Sequence, residues 1–376
     1  RMPTQTIEDP TPNGASPEPG SPHTPRRTAT IMDVAAEAGV SYATVSRYLN
    51  GNPHVSAKAA ERIADAVRQV NYTPNNAARS LVRQRTQTVA FVVHGQPDSI
   101  VADPNISTIL LNANQTIGDA GYQLVILIAD SPEAGRRIAR LASSGFADGW
   151  ILNSFHTGDP LFDVFTRIDA PVAISGVGYG DRIPFPTVDI DNRAASRALT
   201  EHLRSCGHRR IAYICGPDYL PCSDERLRGF RDAMGGDADP SLIVRAGEWT
   251  RQEGRAAVIR LLGTLGGGAG HDADARRILA DHRVDALMCG SDCIAAGAMQ
   301  YLIGQGVDVP ADMAIAGFDD SSDATAMQPQ LTTIRQPLAA FGVNLASMVL
   351  DQIEGRPIRH TLILPTELVV RGSTAR

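Results

Sequence analysis

Tyr42, Ala43, Ser46 and Arg47 stand at i, i+1, i+4 and i+5 of one short stretch, the spacing that puts them on a single face if the stretch is helical. Their chemistry suits the edge of a base pair. An arginine can fork onto guanine N7 and O6 or onto phosphate, a tyrosine can reach either, and an alanine offers only apolar contact, as with a thymine methyl. The elements that must position them are written in Ala29–Leu49. Ile31, Val34, Ala35 and Ala38 recur at helical spacing, Thr30 is placed to cap that helix, and Gly39 supplies the left-handed residue that ends it. Ser41 then caps a second helix, whose Val45 and Leu49 point inward and leave the four side chains outside near its N-terminus. Two short helices around a tight turn are the geometry that seats a helix in the DNA major groove. An ordinary helical hairpin is the alternative at this point.

The charge distribution agrees with that chemistry. The 376 residues carry a net charge of −6, but residues 26 to 86 carry +5, residues 1 to 25 carry −2 and the remainder −9. A basic end meets a polyanion, and an acidic body discourages non-specific binding. No apolar run approaches the roughly 18 residues of a membrane span, and the start of the chain has no apolar signal-peptide core, so a cytoplasmic, nucleoid-associated protein with no membrane partner is expected. The five cysteines include no Cys-x-x-Cys pair and read as reduced thiols. The nine histidines form no metal-ligand spacing, so no metal and no cofactor are expected. His202 and His208 read as helix-end residues.

A chain of this length exceeds one ordinary core. Residues 1 to 27 hold seven prolines and almost no apolar side chains, which predicts a disordered tail. Ser56 to Val70 places Ile63, Ala66, Val67 and Val70 on one side, a third helix closing a small domain by Tyr72. After Pro74, Asn75 to Arg83 is helix-prone without an apolar face of its own, so it needs a partner to fold. From Thr88 onward, apolar runs at 89–93, 124–129, 150–152, 172–174, 211–215, 242–245, 286–289 and 313–316 alternate with helical candidates, among them 106–120, 133–144, 193–206, 224–234, 251–263 and 293–304. That alternation predicts parallel sheet covered on both faces, and the repeat in two halves meeting near Asp189 predicts paired doubly wound subdomains with a cleft at the carboxyl ends of their strands.

Enzyme signals are weak. Gly176-x-Gly178-x-Gly180 follows a strand but runs into Asp-Arg-Ile-Pro with no helix to aim at a phosphate, so it reads as a loop, as does Gly266–Gly268. There is no Gly-x-Ser-x-Gly and no His-Glu-x-x-His, so no catalytic residue is assigned and the chain is not expected to be an enzyme.

The Ala29–Leu49 segment resembles the headpiece of the LacI (lactose repressor)/GalR-type family of bacterial transcriptional regulators. The likeness continues through Asn50, His54-Val55-Ser56-Ala57-Lys58, Asn71-Tyr72 and Pro74-Asn75, and returns at Gly207-His208-Arg209-Arg210-Ile211, Gly317-Phe318-Asp319-Asp320, Leu331-Thr332-Thr333-Ile334 and Pro365-Thr366-Glu367-Leu368. It spans roughly residues 28 to 374. The resemblance implies a fold: an α-helical helix-turn-helix headpiece joined to an α/β periplasmic-binding-protein-like body of two doubly wound parallel-sheet subdomains, with the chain crossing between lobes more than once. It also implies a DNA-binding set that adds Thr30, Ser41, Thr44, Asn50, His54, Asn75, Ala78 and Leu81 to the four exposed side chains. In the resembling family the segment after the headpiece is a hinge that becomes helical on operator DNA, pairs with its dimer mate and pushes a leucine into the minor groove. Leu81 matches that leucine, and Ala77 and Ala78 would let two hinges approach. A plain linker is the alternative.

The family's effector contacts map onto Arg226, Trp249, Ser291 and Asp319. Arg and Asp can fork onto vicinal hydroxyls and a tryptophan face stacks on a sugar ring, so a sugar-like effector is expected; Arg226 as a helix-surface charge and Trp249 as core are the alternatives. The chain departs from the family pattern where many members have Asn-Pro-Phe-Phe: an extended Asp98-to-Asp103 segment precedes Pro104-Asn105-Ile106 and both aromatics are lost. Around Phe155-His156-Thr157 the usual acidic lobe contact is missing too. Asn105 and Phe155 are retained as lining residues.

The expected organisation is a tail at 1–27, a headpiece at 28–74, a hinge at 75–86 and a body at 87–376, with one subdomain at about 87–188 plus 320–344 and the other at about 189–319 plus 345–376. The expected function is a repressor whose affinity for a pseudo-palindromic operator is switched by a small molecule, one headpiece reading only a half-site of a homodimer. The last residues carry no leucine heptad of the kind a tetramer needs. A solute-binding protein and a sugar-acting enzyme carrying a DNA-binding headpiece are the other classes.

Overall fold

A computed structural model describes residues 29–49, 54–73, 85–153, 159–176, 183–267 and 274–375, except the side chains of Ser99 and Ala102. The expected tail at 1–27, Asn50, the hinge residues Asn75, Ala78 and Leu81, the residues Gly178 and Gly180, and Phe155 lie outside these. The chain divides into two compact units, residues 1–82 and 83–376.

Among the described residues, the first unit holds three helices around a small core. Helix α1, Ile31–Ala38, starts with a reciprocal cap: the Thr30 hydroxyl accepts from the Asp33 N–H at 3.3 Å, and the Asp33 carboxylate accepts from the Thr30 N–H at 2.7 Å. It stops at Gly39, whose φ of +59° is costly for any residue with a Cβ. Ser41 accepts from the Thr44 N–H at 3.2 Å to begin α2, Tyr42–Leu49, and Ser56 caps α3, Ala57–Gln69. Val34, Ala38, Val45, Ile63 and Ala66 are buried together, with Tyr48 and Leu49 partly buried against them. Arg62 donates to the Gly39 carbonyl at 3.1 Å and ties α3 to the turn.

The second unit contains two parallel sheets. Strands β1 (Thr88–His94), β2 (Gln123–Ala129), β3 (Gly149–Asn153), β4 (Val172–Ser175) and β5 (Thr187–Ile190) are joined by β11 (Thr361–Leu364) in the order β11-β5-β4-β3-β1-β2. Strands β6 (Ile211–Cys215), β7 (Ile243–Arg245), β8 (Ala286–Cys289) and β9 (Ala314–Ala316) form the other, ordered β7-β6-β8-β9. Every pairing in both is parallel, so helices must cover both faces and the inner strands are apolar throughout. Val89–Val93 is buried residue after residue, whereas the edge strand β2 leaves Ile126 49% exposed. Strand β10 (Thr333–Arg335) pairs antiparallel with β12 (Glu367–Val369).

The chain passes between lobes after Ile190, after Arg335 and after Leu364, and this shifts the expected subdomain limits in three places. Residues 189–190 finish β5 in the first sheet. Residues 320–335 belong with the second lobe: Ser321 N–H and the Thr333 hydroxyl both donate to Asp292, and Thr332 bridges to Ala316. The reading of 345–376 as second lobe fails through residue 364. Helix Leu338–Ile353 buries Phe341, Leu345, Ala346, Val349 and Leu350, too broad an apolar surface for one partner. It packs on the first sheet and on helix Pro104–Asp119, so closely that a Cβ on Gly342 would lie 2.2 Å from the Ile109 carbonyl oxygen. Only from β12 does the chain rejoin the second lobe, where Ser373 donates to the Ile315 carbonyl at 2.5 Å. The Asp98-to-Asp103 segment is not extended either. It is largely a short helix, Pro97–Ala102, and Asp103 caps the longer helix that follows.

Candidate functional site

On the first unit, Tyr42 (52% exposed), Ala43 and Arg47 project into solvent from α2, while Ser46 is half-buried. Val45, between them in sequence, is completely buried. The face is therefore held by one core side chain and the Ser41 cap, and none of its exposed groups supports the core. The flanking hydroxyls are already engaged locally. Ser41 Oγ and Thr44 Oγ1 lie 2.8 Å apart, and the Thr30 hydroxyl donates to Asp33 at 2.8 Å. His54 is exposed in the turn before α3.

The second unit holds a cleft of about 110 Å³ between its lobes, lined among others by Asn105, Arg226, Trp249, Ser291 and Asp319. Five of the six expected effector residues thus share one cavity. Its position follows from the topology: Asn153 and Ser175 end β3 and β4, Asp189 lies in β5, and Trp249, Ser291 and Asp319 follow β7, β8 and β9. These are the carboxyl ends of the strands, where open parallel sheets leave a crevice.

Arg226 is a buried group, 6% exposed, and not a helix-surface charge. Its Nε donates to Asn192 Oδ1 at 2.8 Å and one terminal nitrogen to the Gly290 carbonyl at 2.5 Å. The same nitrogen lies 3.6 Å from the Asp319 carboxylate, and the guanidinium sits 3.7 Å from the centre of the Phe318 ring and 5.5 Å from that of Trp249. Trp249 is half-buried, its ring seated on bare backbone. A Cβ on Gly216 would come within 1.9 Å of it, so that glycine is the floor on which the ring lies. Ser291 also has a structural duty, accepting from the Ile294 N–H at 3.2 Å to cap helix Asp292–Gly304.

Asp319 joins the two lobes. Its carboxylate accepts from Gln336 Nε2 at 2.6 Å and from the Asn105 side chain on the opposite lobe, and its backbone is held at φ +124°, a strained value for a residue with a Cβ. Burial raises its pKa, outweighing the pull of Arg226 in the other direction. Behind it Asp292 is pushed well above the usual carboxylate range, first by burial and then by Asp319. Asp103, at the cavity wall, is raised to about 7 by burial and by the charge of Asp319.

Sequence reasoning missed Asp103, Asn153, Ser175, Asp189, Asn192 and Gln336 as lining residues. For Asn153 and Ser175 a signal existed, since each is a polar residue at the carboxyl end of an apolar run. Gln336, in a crossover between lobes, had none. Among the described residues no group of three or more His, Cys, Asp or Glu side chains is arranged to hold a metal ion, and no helix is long and apolar enough to cross a membrane.

A helical DNA-reading unit followed by a two-lobed body with a polar interlobe cleft defines a DNA-binding transcription regulator with a ligand-type domain. Comparison with known proteins gives the same class. Residues 30–75 match the bacterial regulatory proteins of the lacI family, residues 86–262 the periplasmic binding proteins and sugar binding domain of the LacI family, and residues 200–374 a periplasmic binding protein-like domain. The HTH-type transcriptional regulator CelR of Thermobifida fusca is 34% identical over 357 residues, 93% of this chain and 99% of that protein. The HTH-type transcriptional repressor CytR of Escherichia coli K12 is 32% identical over 356 residues, 92% and 96% of the two chains. Among solved structures, a CelR–cellobiose complex superposes with a TM-score of 0.69 at 32% identity, covering 92% of this chain and 99% of that one. The lac repressor dimer bound to operator and the anti-inducer ONPF superposes with 0.78 at 25% identity, covering 93% and 100%. The chain belongs to the LacI family of bacterial transcription regulators.

Proposed function

We propose that the chain is a repressor that binds a pseudo-palindromic operator as a homodimer in the cytoplasm and is switched by a sugar or sugar derivative bound between its lobes. It acts by binding and not by catalysis. Tyr42, Ala43, Ser46 and Arg47 read base edges, with Thr30, Ser41, Thr44, Asn50 and His54 around them. Asn75, Ala78 and Leu81 form the hinge, whose leucine wedge exchanges base stacking for a bent, better-contacted duplex.

The observation that carries the ligand switch is Asp319, bonded at once to Arg226 and Phe318's side of the cleft, to Asn105 of the other lobe and to Gln336 of the crossover. A polyhydroxyl ligand that takes over these bonds necessarily favours one lobe arrangement, with Trp249 offering a ring face to its apolar side. Such a ligand shifts operator affinity only by its differential affinity for the two arrangements, on the order of 1 to 3 kcal/mol. CelR was solved with cellobiose, which places that disaccharide first among sugars to try. A gel shift with genomic fragments, random competitor DNA and a panel of sugars tests the reading. The wild type should bind a specific fragment and respond to a sugar; Asp319→Ala should bind the same fragment and ignore that sugar. A variant that still responds fully would remove the cleft from the switch.

A further inference from the structure

The chain is clamped where it enters the body. Residues 74–84, which join the two units, lie outside the described residues, and the three that follow are tied down at once. One oxygen of the Asp148 carboxylate accepts from the Thr86 N–H at 2.7 Å and from the Thr86 hydroxyl at 3.0 Å, and the other accepts from the Gln87 N–H at 2.8 Å. Arg85 donates to the Ile353 carbonyl at 3.0 Å, at the end of helix Leu338–Ile353. Gln87 is held at φ +53°, a costly value for a residue with a Cβ, while its carbonyl accepts from the Gln123 N–H at 2.8 Å.

These attachments close on one another. Asp148 donates its own N–H to the Thr88 carbonyl at 2.8 Å. Gly149, next in the chain, lies against the helix end that receives Arg85: a Cβ there would strike the Val349 side chain and press on Ile353. Gln352 donates to the Val172 carbonyl at 2.8 Å and accepts from the Val172 N–H at 3.3 Å, which fixes that helix end to β4. A close-packed ring of this kind passes displacement on and does not absorb it. Folding of β1 does not call for the clamp. The ladder to β2 begins at Thr88, and Arg85, Thr86 and Gln87 carry no apolar side chain to bury.

We infer that Asp148 and Arg85 are positioning residues for operator recognition: they fix the point from which the connection to the DNA-reading unit starts, and so the half-site separation that two copies of the chain can span, a role that rests on the proposed binding of a pseudo-palindromic operator by a homodimer. The lengths involved are comparable. Freeing residues 85 to 87 would add about 10 Å of reach per subunit at full extension, whereas two base pairs inserted between half-sites move them apart by about 7 Å. An unclamped dimer can therefore reach across a separation that the clamped one cannot.

Fluorescence anisotropy on the full chain tests this, using a palindromic site that the wild type selects from random-sequence DNA and the same site with two base pairs inserted at its centre. The wild type should bind the expanded site about tenfold or more weakly, because attachment at two points is lost when geometry forbids it. Asp148→Ala should bind the expanded site only about threefold more weakly than the original or less, its longer connection tolerating the change. Asp148→Asn keeps an oxygen for Thr86 but turns an amide group toward the Gln87 N–H, and should lie between. A purely structural role would lower the unfolding midpoint and leave the ratio between the two sites unchanged. Asp148 is half-buried, so water can reach the N–H groups it leaves and Asp148→Ala should fold. The double variant Arg85→Ala with Thr86→Val keeps the carboxylate, removes two of the four bonds and should narrow the ratio in the same direction, which supplies the reading if Asp148→Ala does not fold. A ratio equal to the wild type's in Asp148→Ala, or in the double variant in its place, overturns the inference and leaves dimeric operator binding standing. A wild type that selects no palindromic site, or binds both sites equally, removes the operator reading and this inference with it.

Discussion

The DNA-facing surface and the interlobe cleft handle polar chemistry in opposite ways. On α2 the arginine, tyrosine and alanine are exposed and the fold depends on Val45 beneath them. In the cleft Arg226 and Asp319 are buried, bonded to one another's surroundings and packed on Phe318. An exposed group can be replaced at little cost to stability, because water satisfies whatever it leaves behind. A buried charge cannot, since its partner is left in a poorly solvating interior. The proposed readout surface is thus free to change with its operator, while the proposed ligand site is also part of the structure.

The largest expected effect follows from that contrast. Arg226→Ala leaves Asp319 buried without its cation and removes the bonds to Asn192 and Gly290, so the body should lose about 3 to 5 kcal/mol of stability together with all response to ligand. Urea unfolding followed by the fluorescence of Trp249 and Trp150 measures it, and an unchanged midpoint would mean that the pair contributes nothing to the fold. Arg47→Ala should behave in the reverse manner. Specific operator binding should weaken by about 1 to 3 kcal/mol, the range for loss of a good base contact, with no change in the unfolding midpoint. Equal losses on operator and random DNA would reduce Arg47 to a phosphate contact.

The two regions also differed in what their residues disclosed. The helix-turn-helix is local: caps at Thr30 and Ser41, the Gly39 stop and the recognition face lie within twenty-odd consecutive residues, and all were legible from spacing alone. The strands with uninterrupted apolar runs were legible for a related reason, being inner strands of parallel sheets buried on both faces. Strand β5 was not, because Thr187 and Asp189 interrupt its apolar pattern. Helix Leu338–Ile353 is apolar nearly all round, and a sequence cannot say which of two lobes will cover such a surface. The existence of a cleft was legible from the repeat of strand–helix alternation in two halves, but its residues Arg226, Trp249, Ser291 and Asp319 were located only through the family likeness. Asp103 escaped because its significance lies in the approach of Asp319 from the other lobe, a contact between residues more than two hundred positions apart.

The smallest effect sharpens the comparison from the side of the first unit. Thr30 closes the reciprocal cap with Asp33 at the start of α1, and its side chain is exposed, so its loss opens no cavity. It does leave one N–H at the helix start without an acceptor and frees the Asp33 carboxylate from its second donor. Thr30→Ala should therefore cost about 1 kcal/mol, within the usual range for a lost N-cap, and Thr30→Ser should restore most of it, because the hydroxyl and not the methyl makes the bond. Hydrogen exchange resolves the two units in the intact chain. Amides of α1 and α2 should exchange roughly fivefold faster in Thr30→Ala, a factor that corresponds to about 1 kcal/mol, while those of β1 and β6 keep the wild-type rate. Equal acceleration in the strands would show that the headpiece and the body open together, and the contrast between an adjustable surface and a structural cleft would then not describe two separate units.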